Sequence, residues 1–420
     1  MRHLRPPLVT DPPGIPRSPR RVKALLLSCA ATVGLIAGCT SADKNSAAKT
    51  SASSTAASDS PGTATASPPS GGGNGPGNGG PGGRGGGLQT FTAVDLDTNG
   101  ANTANANTSN VVSAANAFLA TLDPATRAKV VYAFSDNQSR QTWSNFPAAQ
   151  VPRKGVALAN LSAKAETAAL ALVKTMLSAE GYSQVETIQA ADDWLNENSA
   201  SGTDSFGSDT DYYIAVYGTP SATAAFMVQF GGHHLARNYT YKGTTASITP
   251  DFTGTEPKSF TVGATTVAPL KQKAGTLFSV FDSLTPAQDA KAKLSVTVDD
   301  ILMGPGVDSG KFPTTAGVAV KDLTAAQKKL VLAAIAAWVN DAAPAEAASM
   351  LKTYQSQLDQ TTIAYANSKT VSGENTYLRI DGPRVWVELV NTRSQSTPNV
   401  HYHGVYRDKA DDYGSTNPSS

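Results

Sequence analysis

Apolar residues recur at three- and four-residue intervals from Ser109 onward, at Val111, Ala115, Phe118 and Leu122, the spacing of one helix face. Asp123-Pro124 predicts the start of a second helix, because Asp caps a helix and Pro fits its first turn. Thr285-Pro-Ala-Gln288 and Thr324-Ala-Ala-Gln327 have the spacing of a capping box, in which hydroxyl and amide satisfy backbone groups of the first turn. The segments around them, from Phe278 and from Lys321, resemble the first helical hairpin. Internal duplication is one reading of that likeness, and recurrent capping chemistry is the other. Further Ala-rich helices are predicted near 162–179, 185–197, 324–341 and 345–366. The period drops to that of a strand in two places. One is Tyr212–Tyr217, a turn at Gly218–Ser221, then Ala225–Phe230 leading into Gly231-Gly-His-His234, with Asn238–Tyr241 beyond. The other is Tyr377–Asp381, the turn Gly382-Pro383, Val385–Val390 and finally Val400–Tyr406. Helices between groups of strands, without regular βαβ alternation, predict an α+β fold: a largely antiparallel sheet flanked by Ala-rich helices, in one large domain over 105–420.

The first hundred residues carry a different pattern. Residues 24–38 form a short apolar stretch behind Arg20, Arg21 and Lys23, which reads as an export signal over 1–38. A spanning helix needs about 20 apolar residues, so a permanent transmembrane anchor is not expected. The stretch ends Leu35-Ile-Ala-Gly-Cys39, which resembles the lipobox of bacterial lipoproteins. That resemblance implies a lipid on Cys39, a membrane partner through that lipid, and an exported protein anchored to the outer face of the cytoplasmic membrane or cell envelope. Residues 39–90, rich in Ser, Thr, Pro and then Gly, have almost no apolar side chains to offset chain entropy and read as a flexible tether.

Composition and charge sharpen the functional classes. The chain has 420 residues and a net charge of +1, but six of its basic side chains fall in 1–38, leaving the remainder net acidic. Nucleic acid is therefore not an expected partner. The chain has two cysteines, Cys29 inside the signal and Cys39 at the lipobox, so the folded part has no thiol for a disulfide, a metal or a nucleophile. Gly304-Pro-Gly-Val-Asp-Ser-Gly-Lys311-Phe312 misses the spacing of a phosphate-binding loop and has Phe where a hydroxyl should hold Mg²⁺, which removes nucleotide as a ligand.

Histidine is the remaining chemical signal. Apart from His3, the histidines lie in two pairs, His233-His234 and His401-Tyr-His403. Residues i and i+2 of a strand share a face, so His401 and His403 can offer two imidazoles to one ion. Adjacent His233 and His234 can both join them only if Gly231-Gly232 makes a bulge or turn. The four histidines are candidate ligands for Zn²⁺ or Cu²⁺. Arg237, Arg407 and Asp408 are candidate catalytic groups, an arginine orienting an anionic substrate, while Glu256, Glu388, Asp411 and Asp412 are further carboxylates within reach. The functional expectation is an extracytoplasmic metalloprotein, a hydrolase or oxidoreductase acting on a small molecule. The competing expectation is a non-catalytic binding module with structural histidines.

The motifs Trp143-Ser-Asn-Phe-Pro147, Arg153-Lys-Gly155, Gly231-Gly-His-His-Leu-Ala-Arg-Asn238, Thr249-Pro-Asp-Phe-Thr-Gly254, Leu378-Arg-Ile-Asp-Gly-Pro383 and His401-Tyr-His-Gly-Val-Tyr-Arg-Asp408, closing on Asp412-Tyr-Gly414, resemble the domain of unknown function 3500 family over roughly 110–415. The resemblance implies a domain boundary and points to the histidine motifs; it implies no reaction.

Overall fold

The computed structural model describes residues 103–104, 106–199, 207, 210–308, 311–394, 397 and 399–414. The predicted export signal, Cys39 and the expected tether lie outside the described residues. The folded part runs twice through the same series of main elements. The first half contains helices α1 (Thr108–Leu119), α2 (Pro124–Val130), α3 (Ala163–Met176) and α4 (Ala179–Asn198), then strands β1 (Tyr213–Tyr217), β2 (Phe226–Gly231), β3 (Leu235–Lys242) and β4 (Asp251–Thr255). The second contains α5 (Lys271–Asp282), α6 (Pro286–Ala292), α7 (Ala325–Val339) and α8 (Pro344–Ser356), then β5 (Thr362–Ala366), β6 (Tyr377–Asp381), β7 (Val385–Arg393) and β8 (Val400–Asp408).

The long strands form one sheet in the order β5-β6-β7-β8-β4-β3-β2-β1, so the halves meet antiparallel at β8 and β4. Small pieces repeat as well. Val156-Ala157 pairs with β1 and Val318-Ala319 with β5, in matching registers. Leu177 and Ala342, each between the third and fourth helix of its half, bridge one another. The repeat is therefore a whole half-domain. The likeness between the two Thr…Gln starts lies within one half, where Gln288 and Gln327 of the two capping boxes exchange amide hydrogen bonds at 3.2 and 2.9 Å.

Both faces of the sheet are covered. Ile214, Val228, Phe230, Leu235, Leu378, Val387 and Tyr406 pack on the helices, among them Val111 and Phe118 of α1 and Phe278 and Phe281 of α5. The opposite face, with Ala236, Phe252, Trp386 and Val405, packs against loop residues Trp143, Ile301 and Met303. That double coverage explains why the strands read as near-continuous buried runs. The helix predicted over 345–366 ends at Ser356, and Thr362–Ala366 is strand β5 instead. Thr362, Ile363 and Tyr365 favour extended backbone, and pairing with β6 overrides the alanines. Among the described residues no helix is long and apolar enough to cross a membrane.

Candidate metal centre

His233 and His234 occupy the two inner positions of the turn between β2 and β3, closed by Gly232 N–H donating to the Leu235 carbonyl at 2.8 Å. A Cβ on Gly231 would lie 2.3 Å from that same carbonyl oxygen, and one on Gly232 would lie 2.8 Å from the Asp211 carbonyl, so neither position accepts a side chain. The glycines make a turn rather than a continued strand, and both imidazoles reach the same region, stacked with ring centroids 3.8 Å apart. The His234 carbonyl accepts from Gly254 N–H at 2.7 Å, which fixes the turn to β4. Gly254 stands directly opposite His403 across the β4–β8 seam, and a Cβ there would lie 2.8 Å from His234 Cδ2. His234 thus lies in the groove that glycine leaves beside His403.

On β8, His401 and His403 share a face, and their Nε2 atoms are 3.0 Å apart. One ring nitrogen from each of His234, His401 and His403 lies within 4.8 Å of the others, and all three residues are buried. Two of the outward nitrogens meet carboxylates at hydrogen-bond distance, and the third has one nearby. His234 Nδ1 is 2.7 Å from Asp192 Oδ1, and Asp192 Oδ2 accepts from the Tyr212 hydroxyl at 2.7 Å. His403 Nδ1 is 2.9 Å from Asp300 Oδ1, and His401 Nδ1 is 3.7 Å from Glu256 Oε2. A carboxylate behind an imidazole fixes its tautomer with Nδ1 protonated and leaves the Nε2 lone pair free to bind an ion. Two nitrogens bound to one tetrahedral ion at about 2.05 Å lie about 3.3 Å apart, so the two Nε2 atoms of β8 need move only slightly to share one.

Electrostatics favours a cation here. Burial, reinforced by neighbouring imidazoles, pulls His234 down to about 3 and holds His233 and His401 well below the usual imidazole range, so these rings are neutral with lone pairs available. Burial pushes Asp192 well above the usual carboxylate range, although Tyr212 donates to it. Among the described residues, Asp192, Asp300 and Glu256 have no Lys or Arg within 4.0 Å; the ionisable groups beside them are the three histidines. An ion among the rings would supply the missing positive charge. These buried histidine and aspartate groups could hold a metal ion, and Asp192, His233 and His234 form a second grouping of the same span.

The other sequence candidates lie elsewhere. Arg237 is buried between Asp251 and Asp341, with Lys273 on Asp341 at 2.6 Å. Asp408 faces away from the histidines of its strand and takes a bidentate pair from Arg384 at 2.9 and 2.7 Å, plus the Tyr354 hydroxyl. Arg407 pairs with Asp412 at 2.8 Å and with Asp308, and donates to the Met303 and Val307 carbonyls. Glu388 accepts the backbone N–H groups of Leu302 and Met303 at 2.9 and 2.6 Å. Arg407 and Glu388 together pin the 301–308 loop that follows Asp300. Asp192 and Asp300 escaped sequence reasoning. The signal for Asp192 was a carboxylate on the apolar stripe of a helix, between Ile188 and Leu195; Asp300 sits in an irregular loop that offers none.

The family profile described as protein of unknown function (DUF3500) matches residues 104–415. The chain belongs to this family. The matched span takes in every residue of the histidine centre. No curated protein and no solved structure matches the chain.

Proposed function

We propose that this DUF3500 domain is a metal-dependent hydrolase whose ion is bound by Nε2 of His234, His401 and His403. The observation that carries the reading is the shared arrangement of the three rings, with His234 and His403 each backed by a carboxylate at hydrogen-bond distance and Glu256 3.7 Å behind His401. Three histidine ligands leave a coordination position for water or substrate, whereas structural zinc sites use four protein ligands. Imidazole nitrogen without sulfur suits Zn²⁺ or Cu²⁺. Such an ion lowers the pKa of water and polarises carbonyl or phosphoryl oxygens. Asp192 and Asp300 hold the Nδ1 protons of His234 and His403 outward, His233 steadies His234 by stacking, and Arg407 acts by pinning the loop beside Asp300. The same reading places the domain outside the cytoplasm on a lipid at Cys39, which fractionation of cells carrying Cys39→Ser tests: a protein still membrane-bound and lipid-labelled would exclude it.

The metal reading is tested by elemental analysis of the purified full chain. One Zn or Cu per chain is expected in the wild type and a near-empty His403→Ala, with His233→Ala retaining its ion. A second reading, a binding module with structural histidines, rests on the 3.0 Å separation of the β8 rings, which is also the length of an N–H···N hydrogen bond. In that case no stoichiometric metal is found, chelators leave the melting temperature unchanged, and His403→Ala lowers it.

A further inference from the structure

A shallow cleft runs along the β2–β3 hairpin beside the histidine turn, its walls including Gly231, Leu235, Trp143, Ser144, Arg153 and Lys154. None of the residues lining it is acidic. Arg153 is half-buried and reaches the turn itself, donating to the Gly232 carbonyl at 3.2 Å and the Ser144 carbonyl at 2.9 Å, with further bonds to Val151 and Phe146. Four carbonyl dipoles orient its guanidinium, yet among the described residues it has no carboxylate within 4.0 Å. Burial pulls its pKa down to about 10, so it stays charged at neutrality. Asp211, the carboxylate that acts on it from beyond contact distance, is itself engaged by the Ala148 N–H, which donates to it at 2.6 Å. Arg237, Arg384 and Arg407 are each matched by carboxylates, and Arg140 and Arg379, which like Arg153 donate to carbonyl oxygens, do not line the cleft. Next along the chain, Lys154 brings a second cation to the cleft. Ser144 Oγ accepts from Phe146 N–H at 3.1 Å, so its own proton is available to a ligand.

We propose that this cleft binds an oxyanion, the carboxylate or phosphate end of a substrate, through the charge of Arg153 with Lys154 and the Ser144 hydroxyl as donors. Its role in turnover rests on the hydrolase reading; anion binding by itself does not. The anion would lie against the turn that carries His233-His234, with the rest of the substrate directed toward the three rings. Charge-assisted hydrogen bonds to a half-buried site are the stronger kind, and a cation held by carbonyl oxygens alone gains most from an incoming anion.

The test is calorimetric titration of the full chain with inorganic phosphate and, separately, acetate at constant ionic strength. It is run on metal-loaded and chelator-treated protein, for the wild type, Lys154→Glu and Ser144→Ala. Lys154→Glu is the primary variant, because changing Arg153 would also release the 144–151 loop. Saturable binding is expected with and without metal, weakened about tenfold or more by Lys154→Glu and less by Ser144→Ala. Preference for phosphate assigns a phosphorylated substrate and preference for acetate a carboxylated one. Absence of binding, binding indifferent to Lys154→Glu, or binding that vanishes with the metal would overturn the proposal. Anion binding in a protein that takes up no metal would instead overturn the hydrolase reading alone.

Discussion

Replacing Asp300 with Asn separates a carboxylate that tunes an ion site from one that merely fills space. Asp300 Oδ1 is 2.9 Å from His403 Nδ1, and Asp300 Oδ2 is 3.4 Å from Asn145 Nδ2. Asn keeps the shape and one acceptor but removes the charge. A hydrogen bond to a charged group contributes about 1.5–3 kcal/mol and a neutral one about 0.5–1.5 kcal/mol, so the substitution forfeits roughly 1–1.5 kcal/mol of support to the His403 imidazole. Transmitted to a bound ion, losses of this kind weaken metal affinity about 10–100-fold. The metal-free protein should hardly notice, because the Asp300 side chain is 19% exposed and water can replace what is lost. Competition with a chromophoric chelator gives the affinity and urea unfolding of the metal-free protein gives the stability. Asp299→Asn is the control, since Asp299 bonds Asn375 rather than a histidine. If Asp300→Asn binds metal as tightly as that control, the carboxylate does not act through His403 and the ligand assignment fails. A large loss of stability without an affinity change would make Asp300 a purely structural residue.

Two further substitutions probe the groove and the core. Gly254→Ala would place Cβ 2.8 Å from His234 Cδ2 and 2.9 Å from the Tyr402 carbonyl, which is fixed in the sheet; it should cost about 1–3 kcal/mol and lower metal affinity beyond that, and unchanged affinity in the same chelator assay would show that His234 is no ligand. Glu346 is buried near the start of α8, and burial raises its pKa to about 7 from 4.5 against donation from Asn107 N–H at 2.8 Å. Between those values the folded state holds a proton that the unfolded state has released, so stability falls as pH rises, by up to about 3 kcal/mol. Glu346→Gln should remove that part of the slope in urea unfolding from pH 4.5 to 7.5, and parallel curves for mutant and wild type would contradict it.

The legible parts of the fold were those written in local pattern. Thr285 and Thr324 cap their helices as their spacing with Gln288 and Gln327 demands, and Asp123 caps α2 by accepting from Ala125 and Thr126. Strand alternation placed His401 and His403 on one face, and the scarcity of histidine made the two pairs conspicuous. Long-range facts were not legible. Helical periodicity in an Ala-rich stretch cannot show where pairing with a distant strand will take over, and so the end of α8 was overrun. The carboxylates behind the rings come from a helix, an irregular loop and the end of β4, and no short-range signal ties them to His234, His403 and His401. Arg237, Arg407 and Asp408 drew notice by standing near histidines in sequence, but a strand carries side chains about 3.3 Å apart per residue, and four residues along β8 is already a different neighbourhood.

The repeated halves explain why the fold has this centre at one turn and not at two. In the second half the turn between β6 and β7 closes in the same way as its counterpart, with Gly382 N–H donating to the Val385 carbonyl at 2.8 Å. Its inner positions are Pro383 and Arg384 in place of His233 and His234. Arg384 turns back within its own half to the carboxylate of Asp408, which Tyr354 of α8 also holds, so charge and hydrogen bonds are closed locally. His234 is also tied to the fourth helix of its half, through Asp192 on α4, but a neutral imidazole has a second nitrogen, and the groove over Gly254 opens toward β8 of the other half. His401 and His403 meet it there across the β4–β8 seam. The candidate ligands are thus divided between the halves, one from the first and two from the second. An ion bound by all three would join the halves across that seam, and neither half alone would contain the full set.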